Sequence, residues 1–110
     1  MAEYLEVSTA TETRDQAVAL ARSAVSERLA AGAQIIGPVT SAFWHADAFG
    51  TGEEWKLVMT TSAGRYPALE AHVLKHHPWD NPQLSATPIV TGSEGCLRWI
   101  SASTTPVPVE

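Results

Sequence analysis

Two long β-prone runs lie end to end in the middle of this 110-residue chain. The first, residues 34–45 (QIIGPVTSAFWH), is rich in β-branched and aromatic residues. The second, residues 53–61 (EEWKLVMTT), alternates Trp55, Leu57 and Met59 against Lys56, Val58 and Thr60. That is the period of a strand with two different faces. The segment DAFGTGE between them reads as a loop, and Gly50-Thr51-Gly52 within it as a turn. A Gly-Pro break at 37–38 predicts a bend or bulge in the first strand. The result is a central hairpin with strands longer than the usual five or six residues. The apolar residues on such a hairpin need cover, and the simplest cover is a second copy of the chain.

The flanking segments add helices. Thr13 followed by Gln16 fits a capping box. Ala17, Leu20, Ala21, Ala24, Val25, Arg28 and Leu29 follow at helical spacing, all but Arg28 apolar. Gly32 stands where a left-handed residue would close that helix. Pro67 suits the first turn of a second helix carrying Tyr66, Leu69 and Val73 on one face. Pro78 stops that helix near His77. Tyr4, Leu5 and Val7 suggest a first strand. Residues 84–90 (LSATPIV) suggest a last one, held to a sheet edge by Pro88. Ser93 caps a short final helix with Leu97, Trp99 and Ile100. The order β-α-β-β-α-β-α predicts an α+β, ferredoxin-like βαββαβ sandwich with an extra C-terminal helix. Residues 1–103 form one domain in this reading, and residues 104–110 a flexible tail.

Composition excludes some functions. The chain carries a net charge of −5 and its sequence pI is about 5.3. Without a basic patch, nucleic acid is not an expected partner. No apolar run approaches the ~20 residues needed to span a bilayer, so no membrane role is expected. A single cysteine, Cys96, forbids an intrachain disulfide framework and reads as a small apolar residue on the last helix. No signal peptide is visible, so a cytoplasmic location is expected.

Several pieces together resemble the divalent-cation tolerance protein family, CutA. They are Ala21-Arg22, residues 27–31 (ERLAA), Val39-Thr40-Ser41, His77-Pro78 with Pro82, and Trp99-Ile100. The resemblance implies a tight homotrimer joined through its long hairpins, and a link to copper and other divalent metals. It also implies an architecture similar to the trimeric PII signalling proteins, which bind ligands between subunits. This chain departs from the family at places near the clefts. It has Gly32 in place of the usual cysteine, and residues 45–48 (HADA) in place of Trp-Glu-Gly-Lys. Thr60-Thr61 replaces Lys-Thr, and Trp79-Asp80 replaces Tyr followed by Glu or Gln.

The candidate metal ligands are His77 and Asp80, joined by His45 from the hairpin, holding Cu(II) or another divalent ion. The candidate ligand cleft comprises Trp44, Thr60, Trp79 and Asp80, the tryptophans serving as walls or as interface packing. His72 and His76 share a helical face, but Val73 breaks the pattern H-E-x-x-H. With His77 beside them they read as adventitious metal capture. Catalytic signals are weak. Ser93 reads as a cap, and Glu53-Glu54 point to opposite faces of a strand. An enzyme is therefore not the expectation. The alternatives are a PII-like signalling or protein-interaction trimer binding a small molecule, and a scaffold reused for enzymatic chemistry.

Overall fold

Alternation along one strand organises the molecule, seen here as a computed structural model describing residues 3–106. That strand, β3 (Ala48–Ser62), pairs antiparallel with β2 (Gly32–His45) on one side and β1 (Tyr4–Thr11) on the other. A short strand, β4 (Leu84–Pro88), pairs with β1, so the sheet order is β2-β3-β1-β4. Leu57 and Met59 join Val7 on one face. There they meet Leu20, Ala21 and Ala24 of α1 (Arg14–Ser26), and Leu69 and Val73 of α2 (Tyr66–His76). These side chains form the core, each of the valine, leucine and methionine side chains contributing about 1.5–3 kcal/mol of burial. Helix α3 (Glu94–Ser103) buries only Ile100. The fold is thus α+β: a four-stranded antiparallel sheet with three helices.

Helix α1 starts as its sequence predicts. The Thr13 hydroxyl accepts from the Gln16 amide, and the Gln16 side chain accepts from the Thr13 N–H. Its end differs from the expectation. The helix stops at Ser26, and the left-handed residue is Arg28 (φ 59°), not Gly32. The Arg28 N–H donates to the Val25 carbonyl and the Leu29 N–H to the Ala24 carbonyl. This is the paired pattern of a Schellman stop. Arg28 and Leu29 therefore lie outside the helix. Gly32 begins β2 instead, and a Cβ there would stand 2.9 Å from the Trp99 ring. Its smallness makes room for α3 rather than a left-handed turn.

The hairpin is longer than expected. Ala46 and Asp47 (φ 49° and 62°) form a two-residue turn, closing the ladder at His45↔Ala48. Positive φ at both positions matches the natural twist of paired strands. Apart from Asp47, the predicted loop DAFGTGE is therefore strand, and Gly50-Thr51-Gly52 is not a turn. Trp44 faces Phe49 across the ladder with its ring edge-on (centroids 6.0 Å, 75°), which extends the pairing to the end. The predicted irregularity is present: the register shifts between Ile36 and Val39, around the cis Gly37–Pro38 bond. β1 covers β3 only from Trp55 to Ser62, so the rest of the hairpin projects. The radius of gyration, 14.7 Å, exceeds the ~13 Å of a compact domain this size.

The second half follows the sequence more closely. Pro67 lies in the first turn of α2, which ends one residue before His77. β4 is an edge strand, ending at Pro88 rather than Val90. The Ser93 hydroxyl accepts from the Cys96 amide at the start of α3. Cys96 itself is exposed, correcting its apolar assignment. Thr104 is buried at the end of α3, its hydroxyl bonded to the Ile100 carbonyl and to Ser62. The expected tail therefore does not begin at 104, and residues 107–110 of it lie outside the described residues.

The two helix-stop assignments make opposite forecasts for substitution. Arg28→Gly relieves a left-handed side chain and is expected to stabilise the fold by about 0.5–1 kcal/mol. Gly32→Ala drives a methyl into Trp99 and is expected to destabilise by about 1–3 kcal/mol. Urea midpoints of the two variants check this; the opposite order would restore Gly32 as the stop.

Candidate functional site

His77 ends α2 and turns inward. It is 8% exposed. Its Nε2 lies 2.8 Å from the Ala10 carbonyl, and its Nδ1 accepts from the Trp79 amide at 3.1 Å. A carbonyl can only accept and an amide N–H can only donate. These partners therefore assign the neutral tautomer with hydrogen on Nε2. Burial pushes the His77 pKa down, partly offset by the bond to Ala10. The ring thus bolts the end of α2 to β1 and leaves no free lone pair. Trp79 packs against it, half-buried, with ring centroids 5.3 Å apart. Asp80 is exposed on the same turn.

The other predicted residues lie elsewhere. Trp44 is 76% exposed at the hairpin end, and His45 is exposed beside it. Ala10, the anchor of His77, pairs with Lys56, which lies eight residues along β3 from Ala48. Eight residues of strand span roughly 26 Å. Within one chain, His45 and Trp44 therefore do not reach His77 and Asp80. Thr60 is half-buried between Gly32 and Glu6 on β3, four residues from Lys56 in the other direction. Among the described residues, no three His, Cys, Asp or Glu side chains of one chain already converge as a metal cage.

The structure does assemble a polar cluster between α1 and α2. The Ser23 hydroxyl lies 2.5 Å from His72 Nε2. Glu27 Oε2 lies 3.5 Å from His72 Nδ1 and 3.4 Å from Ser23 Oγ. The His76 ring sits 4.4 Å from the His72 ring, centroid to centroid. A cavity of about 280 Å³ opens beside the cluster, with Ser23, His76, Gln16 and Pro78 on its wall. Desolvation pushes the His72 pKa down; Glu27 opposes the shift, while His76 and Lys75 add to it. Ser, His and Glu suggest a hydrolytic triad, but the geometry argues against one. In a relay the carboxylate sits on the far side of the ring from the hydroxyl; here it touches both. Sequence spacing exposed the His72/His76 pair. It did not expose Ser23 and Glu27, which join it only through helix packing, although their i,i+4 spacing on α1 was a usable signal.

A family model, CutA1 divalent ion tolerance protein, matches residues 5–103. The chain belongs to this family. It is 35% identical over 85 residues to Protein CutA 1, chloroplastic, of Oryza sativa subsp. japonica, covering 77% of this chain but 48% of that protein. The chain thus spans about half the length of that relative. It is 31% identical over 91 residues to the divalent-cation tolerance protein CutA of Escherichia coli (strain K12 / DH10B), covering 81% of each. The crystal structure of CutA1 from Oryza sativa superposes with a TM-score of 0.90 at 30% identity. It covers 94% of this chain and 95% of that one. The family members share the architecture described above.

The His77 bolt carries a pH signature. Its folded-state pKa lies below the ordinary 6.5, so the unfolded chain takes up protons first as pH falls. Stability is therefore full above about pH 6.5 and drops on acidification toward the lower folded pKa. His72 contributes with the same sign. His77→Ala should cost about 2–4 kcal/mol at pH 7.5, since it strips partners from the Ala10 carbonyl and the Trp79 amide. It should also flatten the loss between pH 7 and 5. Denaturant titrations in metal-free buffer at both pH values check this; an unchanged pH slope in the variant would remove the bolt.

Proposed function

We propose that this chain serves in divalent-cation tolerance as a homotrimer of ferredoxin-like protomers, binding rather than catalysing. Family membership over residues 5–103 is the observation that carries the reading. The strand order β2-β3-β1-β4, with α1 and α2 on one face, is in keeping with a ferredoxin-like protomer of residues 1–103. Assembly is supported by what the chain leaves uncovered. Ile36, Phe43, Trp44 and Phe49 of the hairpin are all at least 40% exposed, and Trp99 is 47% exposed. Large aromatics grouped on a projecting ladder are costly in water and suit an interface core.

In a trimer the separation found within one chain loses its force. The hairpin of one protomer can bring Trp44 and His45 against the Thr60, Trp79 and Asp80 region of the next. That is the subunit cleft in which a divalent ion such as Cu(II), or a small molecule, would sit. His77 contributes there as the support of the turn, because both its nitrogens are engaged. The small-molecule reading, akin to the PII-type trimers, draws on a second cavity of about 160 Å³. Lys56, Glu54, Ser8, Ser41 and Gln83 offer it both charges and hydroxyl groups. A cytoplasmic setting completes the proposal; among the described residues, no helix is long and apolar enough to cross a membrane.

Two measurements test this reading. Light scattering should give three times the 11.8 kDa chain mass, and Trp44→Glu with Phe49→Glu should reduce it; a monomer mass for the unaltered chain would sink the assembly. A strain lacking the gene should grow less well on raised copper or zinc and recover with the unaltered gene. Equal growth would sink the tolerance role.

A further inference from the structure

The geometry points to a site for a small zwitterion, an α-amino acid, held between Lys56 and Glu54 on the open face of the sheet. This rests on the small-molecule reading of the 160 Å³ cavity and names the class of molecule it takes. Glu54 and Lys56 lie two apart on β3, so both side chains leave the face that turns away from α1 and α2. Their Cα atoms stand roughly 6.5–7 Å apart. Ser8 and Ala10 reach the same face from β1, Ala10 directly opposite Lys56. Ser41 reaches it through the bulge in β2. Three steps along β2, from Ile36 to Val39, match two along β3, from Lys56 to Glu54. The extra residue turns Val39 and Ser41 toward the cavity in place of Pro38 and Thr40. Gly52 pairs with Ser41, and a Cβ there would meet nothing within 4 Å, so that side of the cavity stays open. Gln83 closes the rim from the segment before β4. Helix α3 packs at the far end of this face, beside Tyr4, Gly32 and Ser62.

The polar groups around the cavity are unspent. Among the described residues, Ser8, Ser41, Glu54, Lys56 and Gln83 make no side-chain hydrogen bond, and Glu54 and Lys56 pair neither with each other nor with another charge. One cation and one carboxylate at a single cavity work against simpler ligands. Glu54 repels an anion, and Lys56 repels a metal ion. A molecule carrying both charges satisfies both groups through charge-assisted hydrogen bonds, its carboxylate toward Lys56 and its ammonium toward Glu54. An ammonium has three N–H donors. Glu54 takes one, and the hydroxyls of Ser8 and Ser41 and the Gln83 carbonyl are acceptors for the others. A volume of about 160 Å³ admits an amino acid with a short side chain and is too small for a nucleotide. Ala10 and Val39 supply a small apolar contact, which suits a side chain of that size.

Calorimetric titration of the untagged full chain with L-alanine tests the site. Saturable heats with one molecule per chain are expected. Propionate lacks the ammonium and ethylamine lacks the carboxylate. Each should bind at least ~10-fold more weakly than alanine, the loss of one charge-assisted hydrogen bond. Lys56→Gln and Glu54→Gln should each weaken alanine binding by the same factor. His76→Ala, on the helix side of the sheet, should bind alanine as the unaltered chain does. Light scattering and circular dichroism on the two charge variants establish that mass and fold are kept, and the comparison of the three small molecules on the unaltered chain stands without them. Equal affinity for alanine and either analogue overturns the site, as does unchanged binding in either folded charge variant. Flat heats with alanine overturn it too. In that case, binding of ATP or succinate that Lys56→Gln weakens would preserve the small-molecule reading of the cavity, and flat heats with those as well would end both.

Discussion

Helices α1 and α2 cover one face of the sheet while α3 packs against only one end of the other, and most of the structure follows from that asymmetry. Leu57 and Met59 turn toward α1 and α2 with Val7, while Lys56, Val58 and Thr60 turn away. A one-residue slip in β3 would exchange the two sets and bury a lysine in place of the core. The register is therefore held by burial as well as by hydrogen bonds. The bulge at Ile36–Val39 lets β2 change register without disturbing the core-facing part of β3. Beyond that bulge the ladder has no helix beneath it. It is held by cross-strand pairs such as Trp44 with Phe49.

The turn after α2 couples this sheet to the helix layer. Pro78 forbids further helix, and His77 uses the freed end to reach the Ala10 carbonyl. Because the end of α2 is pinned to β1, the residue before the pin, His76, is held on the outer side, over the cavity it shares with Ser23. His72, one turn earlier, faces α1. Two adjacent histidines therefore have opposite fates. His77 is structural and saturated; His76 is exposed and, among the described residues, makes no hydrogen bond.

Much of the architecture was legible because its causes are local. The capping box at Thr13 and Gln16, the Ser93 cap, the break at Gly37-Pro38 and the Pro78 stop each depend on residues within four positions of each other. What escaped depends on partners far apart in sequence, or on residues outside their usual roles. Arg28 takes the left-handed place that glycine normally fills, so the stop was assigned four residues late. Ala46-Asp47 is an unusual pair for a primed turn, which hid the true length of the hairpin. Gly32 is explained only by Trp99, 67 positions away. Of the site, His72 and His76 showed in the spacing. Ser23 and Glu27 lie 49 and 45 positions from His72, so their meeting waits on the packing of α1 against α2.

The hairpin and the helix cluster place opposite demands on the chain. The hairpin presents aromatics suited to burial in an interface, whereas the α1–α2 crevice holds imidazole, hydroxyl and carboxylate groups that stay open to water. Gly32 belongs to neither. The Trp99 ring occupies the space a side chain would need there, so the position serves the packing of α3 on β2 and supplies no side-chain ligand.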